Sequence, residues 1–132
     1  MIYDFCQRNS QFLFFALIGV ANTMIHGAVL IFAVEQLSID VVISNLLAFC
    51  IANLSSYLMN SRLTFKKAMS FLRYLRFFLA SILSLGLTLF ISWVAEFYGA
   101  HYLVGFLAIV IFVPALSFLV MKFWAFSDDL ER

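Results

Sequence analysis

Four stretches of this chain carry no Asp, Glu, Lys or Arg, and they set its organisation. Asn9 to Val34 has His26 as its one titratable side chain, and Val41 to Ser61, Phe77 to Ala95 and Tyr102 to Met121 are likewise free of acidic and basic residues. A helix rises about 1.5 Å per residue and a hydrocarbon core is about 30 Å thick, so each stretch can cross a bilayer. None would draw a charge into the lipid. The pattern predicts an all-α integral membrane protein with four transmembrane helices over about 11–34, 41–60, 74–95 and 102–123, joined as two hairpins. A soluble bundle would need a polar face on every helix, and these have none.

Composition agrees. The chain is 65% hydrophobic and 11% charged, against about 45–50% and about 25% in soluble domains. Its 132 residues predict a single membrane domain, with no room for a soluble catalytic one. The placement of charge says more than its sum. The loop over 61–73 and the start of the third helix carry Arg62, Lys66, Lys67, Arg73 and Arg76 with no acidic residue, whereas the other two connections carry Glu35 and Asp40, and Glu96 and His101. Lys and Arg stay on the cytoplasmic side, so the basic loop and both termini are expected inside. Trp93, Tyr98 and Tyr102 fit an outer aromatic belt, and Tyr74 and Trp124 an inner one. Cys6 and Cys50 fall at different depths and read as free thiols, Cys50 as a small packing residue. The first apolar run exceeds the about 7–15 residues of a signal-peptide core, so no cleaved leader is expected.

With lipid outside, the few polar residues carry the information. At about 100° per residue, Phe15, Gly19, Asn22, His26, Val29 and Ala33 share one face of the first helix. Asn45, Phe49, Asn53, Ser56 and Asn60 share one on the second, and Ser81, Ser84, Thr88 and Ser92 one on the third. Such segregation implies a shared interior, because an amide facing lipid goes unsatisfied. One reading is helix glue, with Ser and Thr bonding back to their own carbonyls. The other is a ligand site, for which His26 beside Asn22 is the sharpest candidate. The basic loop likewise serves topology, and could in addition hold an anionic headgroup through Arg62, Lys66, Lys67, Arg73 and Arg76, with Asn60 adding an amide.

No span holds a carboxylate, and there is no nucleotide-binding glycine loop, metal-ligand spacing or nucleophile–base pair, so neither an enzyme nor a cofactor is expected. Pro114 predicts a kink in the fourth helix, where Gly105 and Ser117 would let a neighbour approach. A weak repeat is also present. "FFALI" from Phe14 and "FFLAS" from Phe77 open the first and third helices, and "SRLTF" from Ser61 and "KFWAF" from Lys122 close the second and fourth. With the N-terminus inside, this would be a parallel repeat about the membrane normal.

"IGVANTMIH" (Ile18 to His26), "NLLAFCIANLSSYLMNSRLTF" (Asn45 to Phe65) and the closing "KFWAF" resemble the GtrA-like family of small four-helix membrane proteins, over about Phe12 to Phe126. The third helix bears no strong family mark beyond Phe77 and Phe78. The resemblance implies translocation of a polyprenyl-phosphate-linked sugar, such as undecaprenyl-phosphate glucose, to the outer leaflet of the bacterial inner membrane, for O-antigen or other envelope polysaccharide. It also implies a membrane glycosyltransferase as partner. Asn22, Thr23, His26, Asn45, Ser56, Asn60, Arg62 and Lys122 match its polar signature. Together with the residues read above, this gives an expected intramembrane site of Asn22, Thr23, His26, Asn45, Asn53, Ser56 and Asn60. The expected inner headgroup site is Arg62, Lys66, Lys67, Arg73, Arg76 and Lys122. Four helices can hardly enclose a headgroup, so a homo-oligomer or a path at the protein–lipid boundary is expected. The alternative is a non-transporting subunit that anchors the glycosyltransferase. A small multidrug exporter would need an intramembrane carboxylate, which is absent.

Overall fold

The computed structural model describes residues 1–131. Four helices are long and apolar enough to cross a membrane. They are α1 (Ile2–Glu35), α2 (Val41–Met59), α3 (Phe71–Phe97) and α4 (Tyr102–Val120). Two compact units result, one over Met1–Met69 and the other from Ser70 onward. Each is a hairpin, α1 with α2 and α3 with α4.

Some boundaries differ from the sequence pattern. α1 begins at Ile2 rather than near residue 11, and its 34 residues reach about 50 Å, beyond a hydrocarbon core of about 30 Å. Asp4 and Arg8 end the charge-free pattern without ending the helix, since a helix extending past the hydrocarbon can carry charge in water. α3 likewise begins three residues earlier than expected, because Ser70 caps it by accepting from the Arg73 amide at 3.1 Å. Asp40 caps α2, accepting from Val42 at 2.9 Å and Ile43 at 3.4 Å. α4 continues through Pro114.

The ends of α2 and α4 share a feature the periodicity did not predict. Each passes into one wide π turn, Asn60–Thr64 and Met121–Ala125, closed by five-residue bonds from the Phe65 amide to the Asn60 carbonyl and from the Phe126 amide to the Met121 carbonyl, both 2.9 Å. Lys66, at φ 51°, then turns the chain out of the first hairpin through a left-handed conformation. The closing phenylalanines pack edge-on against the opposite helix, Phe65 on Phe15 at 6.4 Å and Phe126 on Phe77 at 6.0 Å between centroids. The hairpins therefore repeat in detail, with a register one residue away from the sequence alignment: Phe77 corresponds to Phe15, not Phe14.

Small residues set the helix spacing. Ser44, Ala48, Ala52, Ser56 and Asn60 follow one another every four residues along α2, and all are buried. In the second hairpin Gly105 lies so close to α3 that an added Cβ would sit 3.0 Å from that of Ala95. Without water to drive helices together in lipid, such close contact and interhelical hydrogen bonds supply the attraction. The large apolar side chains point outward, Leu13, Leu17, Val20 and Met24 on α1 and Leu83, Leu89 and Phe90 on α3 among them. Cys50 also faces outward, so it does not pack the interior; both cysteines are free thiols.

Candidate functional site

The polar groups of the first hairpin form two sets. Just past the C-terminal end of α2, Asn60 is 1% exposed and organises the π turn. Its Nδ2 donates to the Ser56 carbonyl at 3.0 Å and to Ser56 Oγ at 3.3 Å, and its Oδ1 accepts from Thr64 Oγ1 at 2.9 Å. Asn53, Ser61 and Thr64 are buried nearby in sequence. Across the hairpin, Asn22 Oδ1 is enclosed with no hydrogen-bond partner, as is Ser61 Oγ. An enclosed acceptor left unpaired costs about 1–3 kcal/mol, a cost that a bound donor would remove.

The second set lies toward the other end of the hairpin. His26 Nε2 and Asn45 Oδ1 meet at 3.3 Å, joining α1 to α2, while Asn45 Nδ2 donates to the Val41 carbonyl at 3.0 Å. The amide donor is thereby occupied on its own helix, so its carbonyl faces the imidazole. Asn45 is exposed and His26 half-buried. The pair therefore opens onto the surface of the hairpin and is not sealed inside it.

Of the expected intramembrane residues, the hairpin thus joins His26 to Asn45 and Asn60 to Ser56, and encloses Asn22 Oδ1. Thr23 is exposed and bonds back to the Gly19 carbonyl at 3.1 Å, as a residue stabilising its own helix does. The serine stripe of α3 behaves the same way. Ser81, Ser84 and Thr88 donate to the carbonyls of Phe77, Ala80 and Ser84. Ser84 and Ser117 also meet hydroxyl to hydroxyl at 2.6 Å, tying α3 to α4.

The repeat sharpens the contrast. Counted from the Phe–Phe pairs, Asn22 and His26 correspond to Ser84 and Thr88. Asn45, Asn53, Ser56 and Asn60 correspond to Phe106, Pro114, Ser117 and Met121. The position of Asn22 and Ser56 is therefore filled in the second hairpin by two serines that satisfy each other. At these positions, amides and imidazole remain only in the first.

The basic residues separate into different settings. Arg62 and Lys66 are exposed, Lys67 is half-buried and Arg73 is fully buried. The Lys122 ammonium lies 5.7 Å and 5.8 Å from the ring centroids of Phe118 and Phe123. Arg76 is bound to the turn after α4. Its Nη1 donates to the Trp124 carbonyl at 3.0 Å, to Ser127 Oγ at 3.3 Å and to Asp129 Oδ2 at 3.2 Å, and its Cζ lies 5.8 Å from the Trp124 ring centroid. Sequence reasoning missed Ser61, Thr64, Ser127 and Asp129. The repeated turn motif marked the first pair only indirectly, and nothing local marked the second.

The family model of the GtrA/DPMS transmembrane domain matches residues 14–126. The chain belongs to this family. The matched range covers α1 from Phe14 onward, α2, α3, α4 and both Phe–Phe pairs, and stops at the Phe126 that closes the second hairpin. No curated protein sequence matches the chain. A GtrA/DPMS protein is a small multi-pass membrane protein linked to the handling of polyprenyl-phosphate sugars, and in this one the intramembrane polar chemistry is concentrated in the first hairpin.

Proposed function

We propose that this protein moves a polyprenyl-phosphate-linked sugar from the cytoplasmic to the outer leaflet of a bacterial inner membrane, for modification of O-antigen or another envelope polysaccharide. The observation that carries the reading is the His26–Asn45 contact, an imidazole and an amide placed together on two apolar spans and open at the hairpin surface. A sugar needs partners that exchange hydrogen bonds along its path. An amide carbonyl and an imidazole offer these, and the unpaired Asn22 Oδ1 would accept from a passing hydroxyl. The tail can stay in lipid throughout, because the pair is not walled off. Such a boundary path also suits a homo-oligomer in which a second copy completes the wall. A membrane glycosyltransferase would supply the lipid-linked sugar on the inner side, and the protein itself would catalyse no covalent step.

The test is reconstitution of the purified protein into proteoliposomes with a labelled polyprenyl-phosphate sugar. Crossing should exceed that of empty vesicles by at least about tenfold and should fall back in His26→Ala and Asn22→Ala, which remain folded. No crossing by the folded wild type, together with co-purification of a glycosyltransferase that fails without the chain, would instead make it an anchoring subunit.

A further inference from the structure

In the second hairpin, the chain's own carboxylate occupies an arginine of the kind that holds phosphate. Arg76 is on α3, with its side chain 20% exposed, and it is oriented by two contacts from the turn after α4, the Trp124 carbonyl and the Trp124 ring. Ser127 Oγ and Asp129 complete the set; the Ser127 hydroxyl lies between the Trp124 carbonyl and the Asp129 carboxylate. Among the described residues, every hydrogen bond of Arg76 runs through Nη1. The opposite edge, Nε and Nη2, makes none, and neither atom is enclosed.

We propose that Arg76 and Ser127 form a phosphate-ester site that Asp129 fills when no ligand is bound. A guanidinium grips phosphate with two parallel N–H groups, and Nη1, once Asp129 leaves it, provides them together with the unoccupied Nη2 beside it. The Asp129 side chain is 59% exposed and sits on a single 3-10 turn, Asp128–Glu131. An ion pair so exposed is worth about 0–1 kcal/mol, so a phosphate confined to the membrane surface can displace it. Trp124 holds the guanidinium in place while the carboxylate leaves. The site lies where α3 begins and α4 ends. It deepens the translocation reading and rests on it for the identity of the lipid, but the anion chemistry does not require transport.

Binding is measured on the full-length protein in nanodiscs, with farnesyl phosphate in the bilayer as one probe and glucose 1-phosphate in solution as the other. Asp129→Asn should tighten farnesyl phosphate binding about fivefold, the scale of one exposed ion pair. Arg76→Gln should weaken it at least about tenfold whether residue 129 is Asp or Asn, as loss of a charge-assisted contact requires. Arg76→Lys, which keeps the charge but loses the paired edge, should fall between. If Arg76→Gln does not fold, Arg76→Lys and Asp129→Asn decide. Unchanged or weaker binding in Asp129→Asn overturns the proposal, as does wild-type binding in a folded Arg76 variant. Equal tightening for both probes supports the site for soluble phosphate esters, and tightening for farnesyl phosphate alone supports a lipid headgroup. Intact binding behaviour without sugar-lipid crossing would overturn the translocation reading and leave this site standing.

Discussion

Asn60 illustrates how one side chain can be read in two ways from sequence and resolved in structure. A third asparagine on α2 is more than packing ordinarily needs, which pointed to a ligand. In the folded hairpin both ends of its amide are already used, by Ser56 and by Thr64. Its first duty is to hold the π turn. Asn60→Ala should lower stability by about 1–3 kcal/mol, because the buried Thr64 hydroxyl loses its acceptor. Adding Thr64→Val should recover part of that loss, since removing both partners of a buried hydrogen bond costs less than orphaning one. Unfolding in mixed detergent micelles measures both variants, and strictly additive losses would contradict the account. His26 was legible from sequence because a lone titratable group among apolar residues has no bland surface role. Its partner Asn45 was named but could not be paired with it, since the pairing depends on how two helices cross.

At the level of elements, the charge-free runs located the four helices, but two things lay beyond their reach. The N-terminal extension of α1 carries charge, so hydropathy alone assigned it to the outside. The π turns leave no periodic trace, being one residue wider than a helical turn over only five residues. The α3–α4 contact was partly legible, through Gly105 and Ser117. What sequence could not supply was the opposing residue, and this makes a direct test possible. Gly105→Ala places a methyl 3.0 Å from the Ala95 Cβ, so the helices must separate at that point. We expect a loss of about 1–3 kcal/mol, the usual cost of overpacking. Ala95→Gly in the same chain should return most of it by vacating the space. Micelle unfolding of the four proteins of this cycle gives the coupling, and a rescue of less than about 0.5 kcal/mol would mean that the two residues do not meet.

For the whole molecule, sequence made the membrane class and the helix count legible, because the bilayer imposes length and polarity on every span. The repeat was legible only faintly, since the hairpins preserve an aromatic closure and small-residue spacing but not residue identity. The difference between them, amides in one and paired serines in the other, emerged once the register was corrected by a single position. Orientation is the property in which charge placement makes the firmest demand. Arg62, Lys66, Lys67, Arg73 and Arg76 lie between α2 and the first turns of α3, and the opposite connections hold Glu35, Asp40 and Glu96. Moving the basic loop across the membrane would cost far more than moving the acidic ones, so that loop should remain cytoplasmic. In a background of Cys6→Ser and Cys50→Ala, single cysteines at Ser38, Gly99, Met69 and Ser127 can be probed with a membrane-impermeant maleimide. Ser38→Cys and Gly99→Cys should react in intact cells whose outer membrane has been permeabilised, while Met69→Cys and Ser127→Cys should react only after the inner membrane is opened. The reverse pattern would place Arg76 and the basic loop outside, where no cytoplasmic lipid-linked sugar could meet them, and would remove the direction from the proposed transport. Mixed labelling at every position would mean that both orientations coexist, and transport would then need no preferred face.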